Sequence, residues 1–167
     1  MTFRNAPVTG ATLLSALTLA SCGTDPSYVG KVGVLQDGSG TLQVFVNTCG
    51  YDVEEVWVGA GSASVADYTT EQAASGVFTF TPGDPPPESW TVSESAPLPD
   101  LSDEDTVEVR VSLNGAPPDT EHRRAEATGE TLRLQQDRIV VGTPHKSGDQ
   151  TLSSPEDWAG LCGSGEL

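Results

Sequence analysis

The sequence predicts an all-β fold: an antiparallel β-sandwich with Ig-like or Greek-key connections, about eight strands and one short C-terminal helix. Three observations lead there. Apolar residues recur at every second position through much of the chain, as in Leu42, Val44 and Val46 or Val107, Val109, Val111 and Leu113, which is the period of a half-buried strand. The 18 glycines and 12 prolines are spread between these runs as turn punctuation. After the first twenty residues, no long segment carries the periodicity of an amphipathic helix.

Residues 1–21 read as a leader of a different kind. Arg4 and the free amine make a weakly positive start, and Ala11 to Ala20 form an apolar run of about ten residues. Such a run is too short to span a bilayer, which takes about 20. It ends in Leu19-Ala20-Ser21-Cys22, with Gly23 next. This tetrapeptide resembles the lipobox of bacterial lipoproteins. The resemblance implies a diacylglyceryl group on the Cys22 thiol, cleavage between Ser21 and Cys22, and palmitate-type acylation holding the chain to a membrane. Small side chains let an extended backbone enter a peptidase cleft, and two acyl chains anchor stably where one does not. Gly23 to Ser27 lack an apolar pattern, so residues 22–27 form a tether reaching at most about 18 Å. Residues 28–167 then have the size of one domain with one core.

Within that domain, alternation places strands at Val29 to Leu35, Leu42 to Asn47, Val53 to Val58, Val77 to Thr81, Trp90 to Glu94, Thr106 to Leu113, Thr131 to Leu134 and Arg138 to Val141. In the second of these, Gln43, Phe45 and Asn47 face away from Leu42, Val44 and Val46. Asp37-Gly38-Ser39-Gly40 is suited to a hairpin turn between the first two strands. Pro82 to Glu88 form a stiff connection. Ser154-Pro155-Glu156-Asp157 places an N-cap residue before a proline and two acids, so a short helix is expected to carry Trp158, Leu161 and Cys162.

With Cys22 acylated, Cys49 and Cys162 remain, and in an exported chain they are expected to pair. Closing a loop of roughly a hundred residues stabilises by about 4 to 5 kcal/mol in the chain-entropy model. Free thiols or a metal pair are the weaker alternative, because no histidine or third cysteine stands at ligand spacing.

Taken in order, several of these features are similar to those of small actinobacterial secreted or lipid-anchored proteins of unassigned function. They are the Gly-containing hairpin before Cys49, Val53-Glu54-Glu55-Val56-Trp57-Val58, the proline run before Trp90, the strand Val107 to Leu113, and Ser154-Pro155-Glu156-Asp157-Trp158 before Cys162. After the proline run this chain has Glu88-Ser89-Trp90 where Pro-Gly-Phe is the pattern. The resemblance bears on fold and location and adds nothing on chemistry.

Charge narrows the partners. The whole chain carries −16, and losing Arg4 leaves seven Lys/Arg against 24 Asp/Glu. With Arg123-Arg124 as its densest basic spot, such a surface repels nucleic acid and anionic bilayers, so retention at a membrane requires the covalent lipid. Candidates for chemistry are sparse. His122 and His145 lie outside any hydrolase or zinc motif. Asp100, Asp103, Glu104 and Asp105 crowd one short stretch before a strand, whereas a glycosidase sets two carboxyls across a cleft. They also lack the ordered spacing of a Ca²⁺ loop. Trp57, Trp90, Trp158, Tyr28, Tyr51 and Tyr68 offer either a stacking platform for sugars or envelope polymers or core filling; core filling is the more economical reading for the tryptophans.

The expectation is therefore a non-enzymatic cell-envelope lipoprotein on the extracytoplasmic face of the cell membrane, without cofactor or metal. Its task would be to bind or position an envelope protein or polymer. A carboxylate hydrolase of glycans or peptides, or a Ca²⁺-responsive surface module, is the alternative. Intact mass spectrometry of the membrane-extracted protein should find an N-terminal Cys22 carrying a diacylglyceryl mass; a chain beginning elsewhere, or with an unmodified Cys22, would contradict the lipobox reading.

Overall fold

The structure, a computed structural model, describes residues 30–115, 123–142 and 151–162. In chain order the strands are β1 (Lys31–Gln36), β2 (Leu42–Asn47), β3 (Asp52–Ala60), β4 (Ala63–Thr70), β5 (Val77–Phe80), β6 (Trp90–Ser95), β7 (Thr106–Asn114), β8 (Arg123–Thr128), β9 (Ile139–Val141) and β10 (Thr151–Ser153). They form two five-stranded antiparallel sheets, β10-β9-β1-β2-β5 and β6-β4-β3-β7-β8. The expected antiparallel β-sandwich is the fold. In the second sheet β3 and β4 are chain neighbours, β6 joins β4 after β5 has crossed to the first sheet, and β7 returns beside β3.

Period-two patterning builds the shared core. Val32 and Val34 of β1 and Leu42, Val44 and Val46 of β2 meet Val56, Val58, Tyr68, Val107, Val109 and Val111 of the second sheet, all buried. The turn between β1 and β2 is closed by Asp37, whose Oδ1 accepts hydrogen bonds from the Ser39 amide at 2.8 Å and the Thr41 amide at 3.0 Å. Gly40 stands there at a φ of 87°, the left-handed region that glycine enters without steric cost.

The first sheet departs from simple alternation. Phe45 and Asn47, expected on the face away from the core, are 6% and 3% exposed, because that face has its own cover. A 3-10 turn, Trp158–Cys162, replaces the expected C-terminal helix. Ser154 does cap the segment, its Oγ accepting from the Asp157 amide at 3.2 Å. Trp158 then packs on Leu35, Phe45, Ile139 and Val141 as a second apolar cluster, meeting Phe45 edge to face with ring centroids 5.9 Å apart. Gly33 makes room: a Cβ there would lie 2.3 Å from Ile139 Cγ2 and 3.2 Å from Trp158 Cη2.

Two further links hold the cover down. The Asn47 side chain donates to the Trp158 carbonyl at 3.1 Å, and Cys49 is disulfide-bonded to Cys162 across 113 residues of sequence. The expected pairing of these two cysteines is thus present, and it ties the 3-10 turn to the end of β2.

Other expectations need correction. Residues 131–134 are not a strand but the end of a short helix, α1 (Gly129–Leu134). Thr128 Oγ1 accepts from the Thr131 amide at 3.1 Å as an N-cap. A strand would turn Leu132 and Leu134 to the same side; the helix buries Leu132 and leaves Leu134 73% exposed. Strands β4, β8 and β10 were not anticipated. In β4 the register slips between Val58 and Gly59 of its partner, leaving Val65 as the extra residue of a bulge. Val65 and Ala66 are therefore both buried, which breaks the alternation. In β8 the inward positions hold only Ala125 and Ala127, a weak strand signal.

Replacing both Cys49 and Cys162 with Ala should lower unfolding stability by about 4 kcal/mol, and Trp158→Ala by about 3 to 5 kcal/mol. Denaturant titration under non-reducing conditions measures both. Stability unchanged in either variant would contradict the role assigned to the covered face.

Candidate functional site

The residues singled out from the sequence scatter through the fold. Ser21, Cys22, Tyr28, His122 and His145 lie outside the described residues. Cys49 and Cys162 are joined, which removes both sulfurs from nucleophilic or metal-binding roles.

The acidic group before β7 is occupied in holding its own loop. Asp105 Oδ2 accepts from the Ser102 amide at 2.8 Å, and its carbonyl accepts from the Gly129 amide at 2.9 Å. The hydroxyl and amide of Ser102 together pull the Asp105 carboxyl below the usual aspartate range. Asp103 forms an ion pair with Arg133 of α1. Asp100 and Glu104 are exposed. Among the described residues, no group of three or more His, Cys, Asp or Glu side chains converges to hold a metal ion.

The aromatic residues divide. Tyr68 and Trp90 are core residues, at 1% and 5% exposure, and they cluster with Phe78 and Phe80 at centroid separations of 5.0 to 6.1 Å. Trp158 belongs to the cover of the first sheet. Trp57 does neither. Val56 and Val58 turn inward, so the residue between them turns outward, and core filling is the wrong reading for this one tryptophan.

Trp57 sits on β3, paired across to Asp67 of β4 and Arg110 of β7. Its indole is fixed on three sides. The nitrogen donates to Ser64 Oγ at 3.1 Å. The ring lies over Gly59, where a Cβ would come within 2.3 Å of it. The Arg110 guanidinium carbon stands 4.7 Å from the ring centroid, at cation–π distance.

Two residues back along β3, Glu55 pairs with Ser112 of β7. These four side chains, Glu55, Trp57, Arg110 and Ser112, line an open depression of about 300 Å³. Trp57 and Arg110 form one cross-strand pair of its wall and Glu55 and Ser112 the next pair along the same two strands. Asp67, on the other flank of the indole, has a buried Oδ1 that meets no hydrogen-bond donor among the described residues.

Charge on this face is paired internally. Register sets Arg110 opposite Arg124 and Glu108 opposite Glu126, an arrangement of facing like charges that is unfavourable taken alone. Glu108 resolves it by accepting from Arg110 Nε at 2.5 Å and Arg124 Nε at 2.7 Å, while Arg124 Nη2 reaches Glu126 at 2.7 Å. Arg110 uses Nε in this pairing, and the rest of its fork of donors points from a side chain 53% exposed.

Arg110, Glu55 and Ser112 were not recognised from the sequence as site residues. A signal was present for Arg110 and Ser112, which occupy the polar phase of an alternating strand; Glu55 shares the phase of buried Val53 and turns outward because the register shifts between the two. What periodicity does not convey is which two strands are neighbours. Comparison of the chain with protein-family models, with curated proteins and with solved structures found no match.

The lowered Asp105 pKa fixes the sign of a pH effect. A carboxyl with a depressed folded pKa contributes stability above the ordinary aspartate value and loses it as pH falls through the folded value. Asp105→Asn should therefore melt below the wild type at neutral pH, with the gap closing as pH drops below about 4. A gap that persists undiminished in acid would rule out the charged carboxylate as its source.

Proposed function

We propose that the chain is an exported bacterial lipoprotein, held to the extracytoplasmic face of the cell membrane by a lipid on Cys22. Its sandwich acts as a non-catalytic module that binds or positions another envelope component through the outer face of the β6-β4-β3-β7-β8 sheet. The observation that carries the binding reading is the contrast between the two outer faces. One is sealed by Trp158 and its apolar neighbours, whereas the other presents Glu55 and Arg110 exposed around a depression with a half-buried indole in its wall.

Support for a non-catalytic role comes from the placement of the acids. The lining of the depression includes a single carboxylate, Glu55, and carboxylate hydrolysis of glycosides needs two across the scissile bond. The densest acidic group is bound into its own loop and to α1. Support for the anchor comes from the Leu19-Ala20-Ser21-Cys22 tetrapeptide behind its apolar run and from a surface too acidic to adhere to anionic lipid unaided. The likeness to small actinobacterial secreted or lipid-anchored proteins is of a piece with both.

The test of location is a Cys22→Ser chain expressed in its bacterial host and followed by fractionation. The variant should appear in the medium or persist as an unprocessed precursor. A correctly trimmed product that stays with the membrane would overturn the anchor.

A further inference from the structure

We infer that the depression formed by Glu55, Trp57, Arg110 and Ser112 is a binding site for a neutral saccharide unit, one sugar ring of a longer glycan. The inference rests on the binding-module reading above and names its ligand class.

Charge comes first. An anionic ligand would need a free cation, but Arg110 is already paired with Glu108, Glu55 adds a negative charge to the lining, and the chain as a whole carries −16. Long-range repulsion and local neutrality both act against an anion. A cationic ligand would be drawn to Glu55 but would meet the Arg110 guanidinium, which already holds the cation position over the indole. A neutral ligand meets neither that repulsion nor the need to displace Arg110.

Hydrogen-bonding chemistry comes second. The lining offers the remaining guanidinium donors of Arg110, the acceptor-only carboxylate of Glu55 and the hydroxyl of Ser112, which both donates and accepts. The part of the half-buried indole that Arg110 and Gly59 leave uncovered supplies a small apolar surface beside them. A neutral molecule that satisfies all four carries several hydroxyls close together and C–H edges between them, which describes a pyranose or furanose ring.

A peptide fits less well. Extended peptides dock by main-chain pairing at a free sheet edge, and the depression lies over β3 and β7, each of which has strand neighbours on both sides. Size agrees with a single ring: 300 Å³ is at the lower limit of small-molecule sites, about 300 to 1,000 Å³, and the open side leaves room for a chain to continue.

The site is also prepared in advance. Its four side chains stand on interior strands, the indole is held by Ser64 and Gly59, and the guanidinium is held by Glu108. Trp57 and Arg110 therefore have little side-chain freedom left to lose on binding.

The test uses the full mature lipoprotein in a detergent without sugar head groups. It is titrated calorimetrically with neutral oligosaccharides of glucose, mannose, galactose and N-acetylglucosamine, and with polygalacturonate as an anionic comparison. Saturable binding to at least one neutral oligosaccharide is expected, with Kd of about 1 mM or tighter. Affinity should fall roughly tenfold or more in Trp57→Ala and in Glu55→Gln, the latter being a near-isosteric change that leaves the sheet intact. Thermal melting verifies that each variant is folded. Absence of saturable binding to every neutral sugar, preference for polygalacturonate, or affinity unchanged in folded Glu55→Gln and Trp57→Ala would each overturn the assignment. Membrane retention through Cys22 is measured separately, so an anchored chain that ignores sugars defeats the ligand class alone. Appearance of new reducing ends in the titrated sample would support the saccharide site while defeating the non-catalytic reading.

Discussion

The structure depends on keeping water from both faces of the β10-β9-β1-β2-β5 sheet. Strands β1, β2 and β9 carry apolar side chains on each side: Val34, Val44 and Val140 toward the other sheet, and Leu35, Phe45, Ile139 and Val141 away from it. A two-layer sandwich satisfies only the first set. The second would remain as an exposed apolar patch, which soluble domains avoid beyond a few hundred Å². Trp158 supplies the missing layer. A five-residue 3-10 turn is too short to hold itself in place by helix propensity, so the disulfide and the Asn47 side chain fix what hydrophobic contact alone would hold loosely.

That solution makes the molecule two-sided. With one outer face closed, the other is free to be polar, and its charges settle into a local network around Glu108. Each such surface ion pair is worth little for stability, typically about 0 to 1 kcal/mol. Their effect here is positional, since they hold Arg110 over Trp57 and so define the wall of the depression.

Much of this was legible in the sequence. Seven of the eight strands read from alternation, the hairpin at Asp37 and the Cys49–Cys162 pair all follow from local pattern or simple exclusion. The failures share a cause: they occur where tertiary contacts override local period. Val65 sits in a bulge, Ala125 and Ala127 are inward but small, and Leu132 gains more from one helical turn against the core than from a strand. The site was legible only in part. Period two puts Arg110 on an outward phase, but the economical reading of Trp57 is core filling, and the meeting of the two depends on β3 and β7 being neighbours, a fact of topology that the intervening residues 61–105 conceal. The double burial of β2 was hidden for the same reason, since its cover arrives from the far end of the chain.

The place of β1 in its sheet carries a kinetic consequence. It is the earliest strand described, and it is hydrogen-bonded to β2 on one side and to β9 on the other. Its second neighbour and its apolar roof are thus among the last parts to be made. The strand that pairs with the free side of β1 is made only at residues 139–141 and the cover only at 158–162, and pairings between distant segments form slowly because their loop entropy must be met first. The first sheet is therefore completed late, when the earliest and the latest of the described segments come together.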